Sequence, residues 1–200
     1  AGGLAAKITD EIFGPFAPPP DWVRPASVSE EHLKKFVGLW RNERTRQPGR
    51  FTYEDGSLRF GGRSLVPLSE DSFAMGGTVF KFNFDPSGRP VSGEANNSGE
   101  ITRMTAHPVW QPSKDELSAI SGEWHSDEAD ARFTVALIDG KPFIRQRPTT
   151  RIPMQPLYKD HFGAGPYVIW FTRDDSGKVD TLHVGGSRMR DMPFERASNK

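Results

Sequence analysis

The feature that most constrains this chain is that it repeats itself. Residues 29–43 (SEEHLKKFVGLWRNE) and 113–127 (SKDELSAISGEWHSD) align without a gap at an offset of 84, matching Ser29 to Ser113, Leu33 to Leu117, Phe36 to Ile120, Gly38 to Gly122 and Trp40 to Trp124. The match continues with small shifts. Asp55-Gly56 meets Asp139-Gly140, Leu65 through Leu68 meets Met154 through Leu157, and Asp71 and Phe73 meet Asp160 and Phe162. Phe80 through Gly88 then meets Ile169 through Gly177, both copies ending in Asp followed by Ser-Gly. So many punctuation points in one fixed order mark a duplicated structural unit of about 80 residues.

The punctuation dictates what each unit is. Ser29 and Ser113 are natural helix N-caps, and Ser113 with Glu116 has capping-box spacing. Each Asp-Gly is a two-residue hairpin signal, and each Asp-x-Ser-Gly suits a turn with glycine in the left-handed region. Between the turns the strands are short and alternate. Phe80, Phe82 and Phe84 face one way while Lys81 and Asn83 face the other, and Phe133, Val135 and Leu137 repeat the pattern. A meander of many short strands avoids open edges by closing on itself. The fold class expected is therefore all-β: two tandem small eight-stranded antiparallel barrels, preceded by one α-helix. The expected layout is a helix over residues 1–14, a proline-rich linker over 15–28, a first barrel over 29–108 and a second over 109–200.

The helix at 1–14 places Leu4, Ile8 and Ile12 on one face and ends at Gly14-Pro15. Its apolar stripe needs a partner, and the abrupt start at Ala1-Gly2-Gly3-Leu4 reads as the middle of a longer chain. With 26 Lys plus Arg against 26 Asp plus Glu, net charge is zero. That balance argues against a dedicated nucleic-acid binder and against a polybasic membrane-surface module. Apolar runs such as Tyr167 to Phe171 are too short to span a bilayer. The absence of cysteine removes disulfide scaffolds, thiolate zinc sites and thiol nucleophiles, and leaves both cytoplasm and periplasm open.

Gly38-Leu39-Trp40 and Gly122-Glu123-Trp124, each after a short helical turn, are similar to the opening of lipocalins, in which a Trp plugs one end of an eight-stranded barrel. Repeats this short imply barrels filled by their own side chains. The second copy is more specific. Gly122 through Glu128, Pro156-Leu157-Tyr158, Phe171 through Gly177 and Phe194-Glu195-Arg196 resemble, in that order, the C-terminal barrel found after the catalytic domain of β-lactamase-related, penicillin-recognising serine hydrolases, and of D-aminopeptidases most closely. That resemblance implies a catalytic domain upstream, with residues 1–14 its last helix, and any oligomerisation through the parent enzyme.

The family's catalytic signature is Ser-x-x-Lys with Tyr-x-Asn and His/Lys-x-Gly. No serine here is followed three residues later by lysine, and no tyrosine by x-Asn. His183-Val184-Gly185 spells the third motif in isolation. His125-Ser126-Asp127 and Asp160-His161 hold the residue types of a triad, but strand neighbours point to opposite faces. No His pair has metal-ligand spacing. No catalytic residue, metal ligand or cofactor is therefore expected. One loop stands out: Arg145-Gln146-Arg147-Pro148-Thr149-Thr150-Arg151 carries three arginines and no acid. In the D-aminopeptidase family a loop of the second barrel reaches the catalytic cleft, and this segment matches its place. The resemblance thus assigns Arg145, Arg147, Thr149 and Arg151 to the cleft mouth, where arginine suits an anionic group on the substrate rather than a free amine. Gly38, Trp40, Gly122 and Trp124 form the structural signature of the repeats.

Three functions are weighed. The first is a non-catalytic accessory tandem that stabilises a serine hydrolase domain and shapes its cleft. The second is a free-standing lipocalin-like module for a small hydrophobic ligand, which requires an open cavity. The third is a hydrolase in its own right, which requires a hydroxyl within reach of a base.

Overall fold

The structure is a computed structural model and describes residues 25–147, 149–186 and 189–197. The helix expected over 1–14 and most of the connector over 15–28 lie outside the described residues. The first unit opens with helix α1 (Glu30–Lys34), followed by β1 (Gly38–Asn42), β2 (Pro48–Glu54), β3 (Ser57–Phe60), β4 (Arg63–Ser64), β5 (Val66–Pro67), β6 (Ser72–Met75), β7 (Thr78–Phe84), β8 (Pro90–Asn97) and β9 (Glu100–His107). The second repeats the order with α2 (Lys114–Ile120), β10 (Gly122–Ser126), β11 (Ala131–Ile138), β12 (Lys141–Arg145), β13 (Ile152–Pro153), β14 (Gln155–Pro156), β15 (His161–Ala164), β16 (Tyr167–Arg173), β17 (Val179–Gly185) and β18 (Met192–Arg196).

Each unit is one antiparallel sheet. The strand order is β4-β3-β2-β1-β9-β8-β7-β6-β5 in the first and β13-β12-β11-β10-β18-β17-β16-β15-β14 in the second. The two ends of each order are chain neighbours, separated by Leu65 and by Met154. Both of these residues are buried, and both donate their amide inward across the bend, Leu65 to the Leu58 carbonyl at 2.8 Å and Met154 to the Pro142 carbonyl at 2.9 Å. One bent strand thus pairs with both sides and completes the ring through the covalent chain. Counted so, each barrel has the eight strands expected.

The duplication holds at the level of single hydrogen bonds. The Trp40 indole donates to the Phe36 carbonyl at 3.0 Å, and the Trp124 indole to the Ile120 carbonyl at 3.2 Å. Asp85 Oδ1 accepts from the Ser87 amide, the Ser87 hydroxyl and the Arg89 amide at 2.9, 2.6 and 3.0 Å. Asp174 Oδ1 does the same for Ser176 and Lys178 at identical distances. Asp55-Gly56 and Asp139-Gly140 all adopt positive φ, as two-residue hairpins of the mirror-image type require. The ladder slips at Asn83/Phe84 in one barrel and at Thr172/Arg173 in the other.

Each helix closes one end of its barrel. Ser29 and Ser113 cap them, the latter in a full capping box with Glu116. Leu33 and Phe36, or Leu117 and Ile120, then lie buried over the strands. The first core is phenyl-rich, with Phe36, Phe51, Phe73, Phe80 and Phe82 in edge-to-face and tilted contacts at 4.8–5.9 Å. The second is largely aliphatic, built on Val135, Ile144, Ile169, Leu182 and Val184 around Trp124. The frame tolerates this exchange because a core needs matched total volume more than fixed identities.

Candidate functional site

The loop singled out from the sequence joins β12 to β13, which pair at Phe143 with Pro153 and Ile144 with Ile152. Arg145 is half-buried at the end of β12, and Arg147, Thr149 and Arg151 are exposed. Thr150 donates its amide to the Arg147 carbonyl at 3.1 Å, which tightens the tip. Among the described residues no ion pair engages Arg145, Arg147 or Arg151. The flanking Gln146 and Ile152 line a cavity of about 240 Å³ at the open end of the second barrel, floored by Phe133, Ile144 and Ile169. The first barrel opens at the same end into a cavity of about 350 Å³. Buried side chains fill the interior of each barrel, and these two clefts lie at the mouths.

A second cluster, unforeseen from the sequence, lies where the outer walls of the two barrels meet. In β7 only alternate residues are buried, whereas in β16 Val168, Ile169, Trp170 and Phe171 all are. Ile169 and Phe171 point into the barrel core, and Trp170 faces outward into the joint. Gly185 makes room for it, since a Cβ there would come within 2.9 Å of the indole. The Arg46 guanidinium lies 4.9 Å from the Trp170 ring centre, and Arg46 Nη1 is 3.4 Å from His161 Nε2. The buried Tyr158 hydroxyl donates to the Arg46 carbonyl, and Arg41 sits 5.6 Å from the Tyr158 ring. Arg46 holds φ +57° in the turn between β1 and β2, a region that a long side chain rarely occupies. Backbone strain here accompanies the placement of the guanidinium.

The electrostatics follow from burial. His161 Nδ1 donates to the Lys159 carbonyl at 2.7 Å, which leaves Nε2 as the acceptor facing Arg46. Desolvation pushes the imidazole pKa down to about 4, against the Lys159 hydrogen bond and with the help of Arg46 and Arg41. His107, packed 5.0 Å from the Tyr158 ring, is lowered by burial and then by Arg41. Burial raises the Tyr158 phenol well above its ordinary value. For Glu43 burial works upward, but hydrogen bonds from Thr105 and Arg41 outweigh it and hold the carboxyl below its usual value. The cluster thus combines aromatic and imidazole rings with the Arg41–Glu43 pair and the Arg46 guanidinium, which rests on the Trp170 ring.

His183, of the lone His-x-Gly motif, has close side-chain partners in the fold. It stacks on Trp170 with ring centres 5.1 Å apart and planes 5° off parallel. Its Nδ1 lies 2.8 Å from Asp191 Oδ1 and its Nε2 3.2 Å from Thr172 Oγ1. This is a hydroxyl–imidazole–carboxylate chain, the arrangement that the third function required. It lies on a strand face, where the surrounding amides of β16 and β17 bond each other. The Thr172 hydroxyl is also 3.1 Å from Asp180 Oδ1, a carboxylate that competes for its proton. His125 and Ser126 take opposite sides of β10 as expected, with Ser126 buried and His125 partly exposed. Among the described residues no His/carboxylate cluster could hold a metal ion.

No family model and no curated protein matches the chain. Among solved structures it is similar to SurE with D-Leu, at 12% identity over 74% of this chain and a TM-score of 0.33. The chain spans about 38% of the length of that structure. It is also similar to a protein of unknown function from the DUF3598 family of Nostoc punctiforme PCC 73102, at 11% identity over 86% of this chain and a TM-score of 0.21.

Proposed function

We propose that this chain is the non-catalytic accessory tandem of a β-lactamase-related serine hydrolase of D-aminopeptidase-like type, stabilising the catalytic domain and lending it a cleft-shaping loop. The observation that carries the reading is the contrast between the joint and the loop. Arg46, Tyr158, His161 and Trp170 fasten the two barrels together, while residues 146–151 hold exposed arginines out from one barrel end. A rigid scaffold presenting one polar loop is the usual design of a recognition element. The partner is the hydrolase domain of the same parent chain, and no cofactor is required of the barrels. The β16 and β17 backbones around Thr172 pair with each other, and Asp180 Oδ1 competes for the Thr172 hydroxyl proton, so the His183 chain is read as structural.

The test compares residues 1–200 with the longer product of the gene on p-nitrophenyl esters, a chromogenic cephalosporin and D-amino-acid anilides. Silence from the 200 residues and turnover by the longer product supports the proposal. Turnover by the 200 residues that Thr172→Val abolishes would replace it with the hydrolase reading. The lipocalin-like alternative draws its support from the open mouths of the barrels.

A further inference from the structure

The two barrels differ at their helix-capped ends. In the second, Arg196 sits opposite Trp124 in the ladder and lays its guanidinium 4.4 Å from the indole ring centre. Its terminal nitrogens donate to the Ser121 and Ala119 carbonyls at 2.8 and 2.6 Å. These are carbonyls that the end of a helix leaves without an intrahelical partner. The guanidinium lies so close to Gly122 that a Cβ there would meet it at 2.9 Å.

The first barrel has the same frame without the arginine. Trp40 sits opposite Ala106, and a Cβ on Gly38 would meet nothing within 4 Å. The matching carbonyls belong to Val37 and Lys35. Outside the strand ladders no backbone amide among the described residues donates to either, and the Trp40 indole is engaged by the Phe36 carbonyl between them. A cleft of about 380 Å³ opens at this place, lined by Lys35, Val37, Gly38, Trp40 and Ala106, a volume within the range of small-molecule sites. Trp40 is only 2% exposed, so the two carbonyls supply most of the hold.

The charges of the lining select further. Arg89 also borders the cleft but is paired with Asp85 at 3.4 Å, and Lys178 holds the equivalent turn position in the second barrel, where Arg196 is seated nonetheless. Lys35 stands where the second barrel has Ala119 and is exposed. An added cation beside a guanidinium site favours a ligand that brings its own carboxylate.

We infer that the cleft at the helix-capped end of the first barrel binds an arginine-like small molecule, whose guanidinium takes beside Gly38 the place that Arg196 fills beside Gly122 and whose carboxylate meets Lys35.

The experiment titrates the 200-residue chain with N-acetylarginine, following amide and indole resonances by NMR. N-acetylcitrulline, a neutral urea of the same shape, and N-acetylagmatine, which lacks the carboxylate, are the comparators. N-acetylarginine is expected to shift Val37, Gly38 and the Trp40 indole saturably and to bind about tenfold more tightly than N-acetylcitrulline. Lys35→Gln should lower its affinity to that of N-acetylagmatine. Ala106→Arg, which gives the first barrel the guanidinium of the second, should abolish binding. Either comparator binding the unaltered chain as tightly as N-acetylarginine, or no saturable shift at Gly38, overturns the proposal. Should Ala106→Arg fail to fold, the N-acetylarginine-to-N-acetylcitrulline ratio in the unaltered chain still decides it.

Discussion

Arg46 places its guanidinium 4.9 Å from the centre of the Trp170 ring, so a turn of the first barrel is fastened to the outer wall of the second. A desolvated cation–π contact contributes about 1–2 kcal/mol. Arg46→Ala should therefore leave both barrels folded while loosening their mutual orientation, read as diverging residual dipolar couplings for the two halves. A double-mutant cycle with Trp170→Leu should return a coupling of about 1 kcal/mol. Arg46→Gly should destabilise less than Arg46→Ala, by about 1 kcal/mol, because glycine relieves the positive φ.

The buried His161 makes the joint sensitive to acid. Its folded pKa of about 4 lies below the unfolded value near 6.5, so between these two values the unfolded chain binds the extra proton. Stability should be fully present above about pH 6.5 and fall as the pH drops toward 4, by about 3 kcal/mol in all. His107 is shifted in the same direction and adds to the slope. Urea midpoints from pH 4 to 7.5 should show this slope, and His161→Gln should flatten it. A midpoint independent of pH in the unaltered protein would show that His161 is protonated without cost.

Phe82 touches Phe36, Trp40, Phe51, Phe73 and Phe80 and is 2% exposed. Phe82→Ala should cost about 3–5 kcal/mol, and Phe82→Leu distinctly less. Because the second barrel has its own core, denaturation followed by NMR should show the first unfolding at lower urea while resonances of Val135 and Leu182 persist. Loss of both sets together would mean that the joint makes one cooperative unit of the two.

The arginine loop should behave oppositely. Arg147→Ala with Arg151→Ala removes two exposed charges with no ion-pair partner among the described residues, and the thermal midpoint should move by no more than about 0.5 kcal/mol equivalent. In the proposed parent enzyme the same pair should raise KM for substrates carrying a carboxylate while leaving neutral ones alone. Kinetics unchanged for both classes would remove the loop from the cleft.

What the sequence disclosed and what it hid divides along chain distance. The paired Trp40 and Trp124, the Asp85 and Asp174 turns and the Ser113 cap act over four residues or fewer, so their spelling carries their structure. The joint brings Arg46 to His161 and Trp170 across more than a hundred residues, and no local pattern encodes such a contact. One trace was present. The unbroken apolar run from Val168 to Phe171, set against the alternation in Phe80 through Phe84, is what a strand buried on both faces looks like. The link between Thr172 and His183 was hidden for another reason, because it runs diagonally between strands whose register only the folded hairpin sets. The mouths, likewise, depend on where eight strands end relative to one another.

In both barrels the first strand hydrogen-bonds the last, β1 beside β9 and β10 beside β18. The chain therefore leaves each unit next to where it entered. A gene segment copied at that boundary delivers a whole closed ring and breaks no pairing in its parent. Inheritance of a second copy costs the first nothing structurally, and each is then free to diverge at its mouth and its outer wall. One copy carries amides at its mouth and the other an arginine loop beside its own.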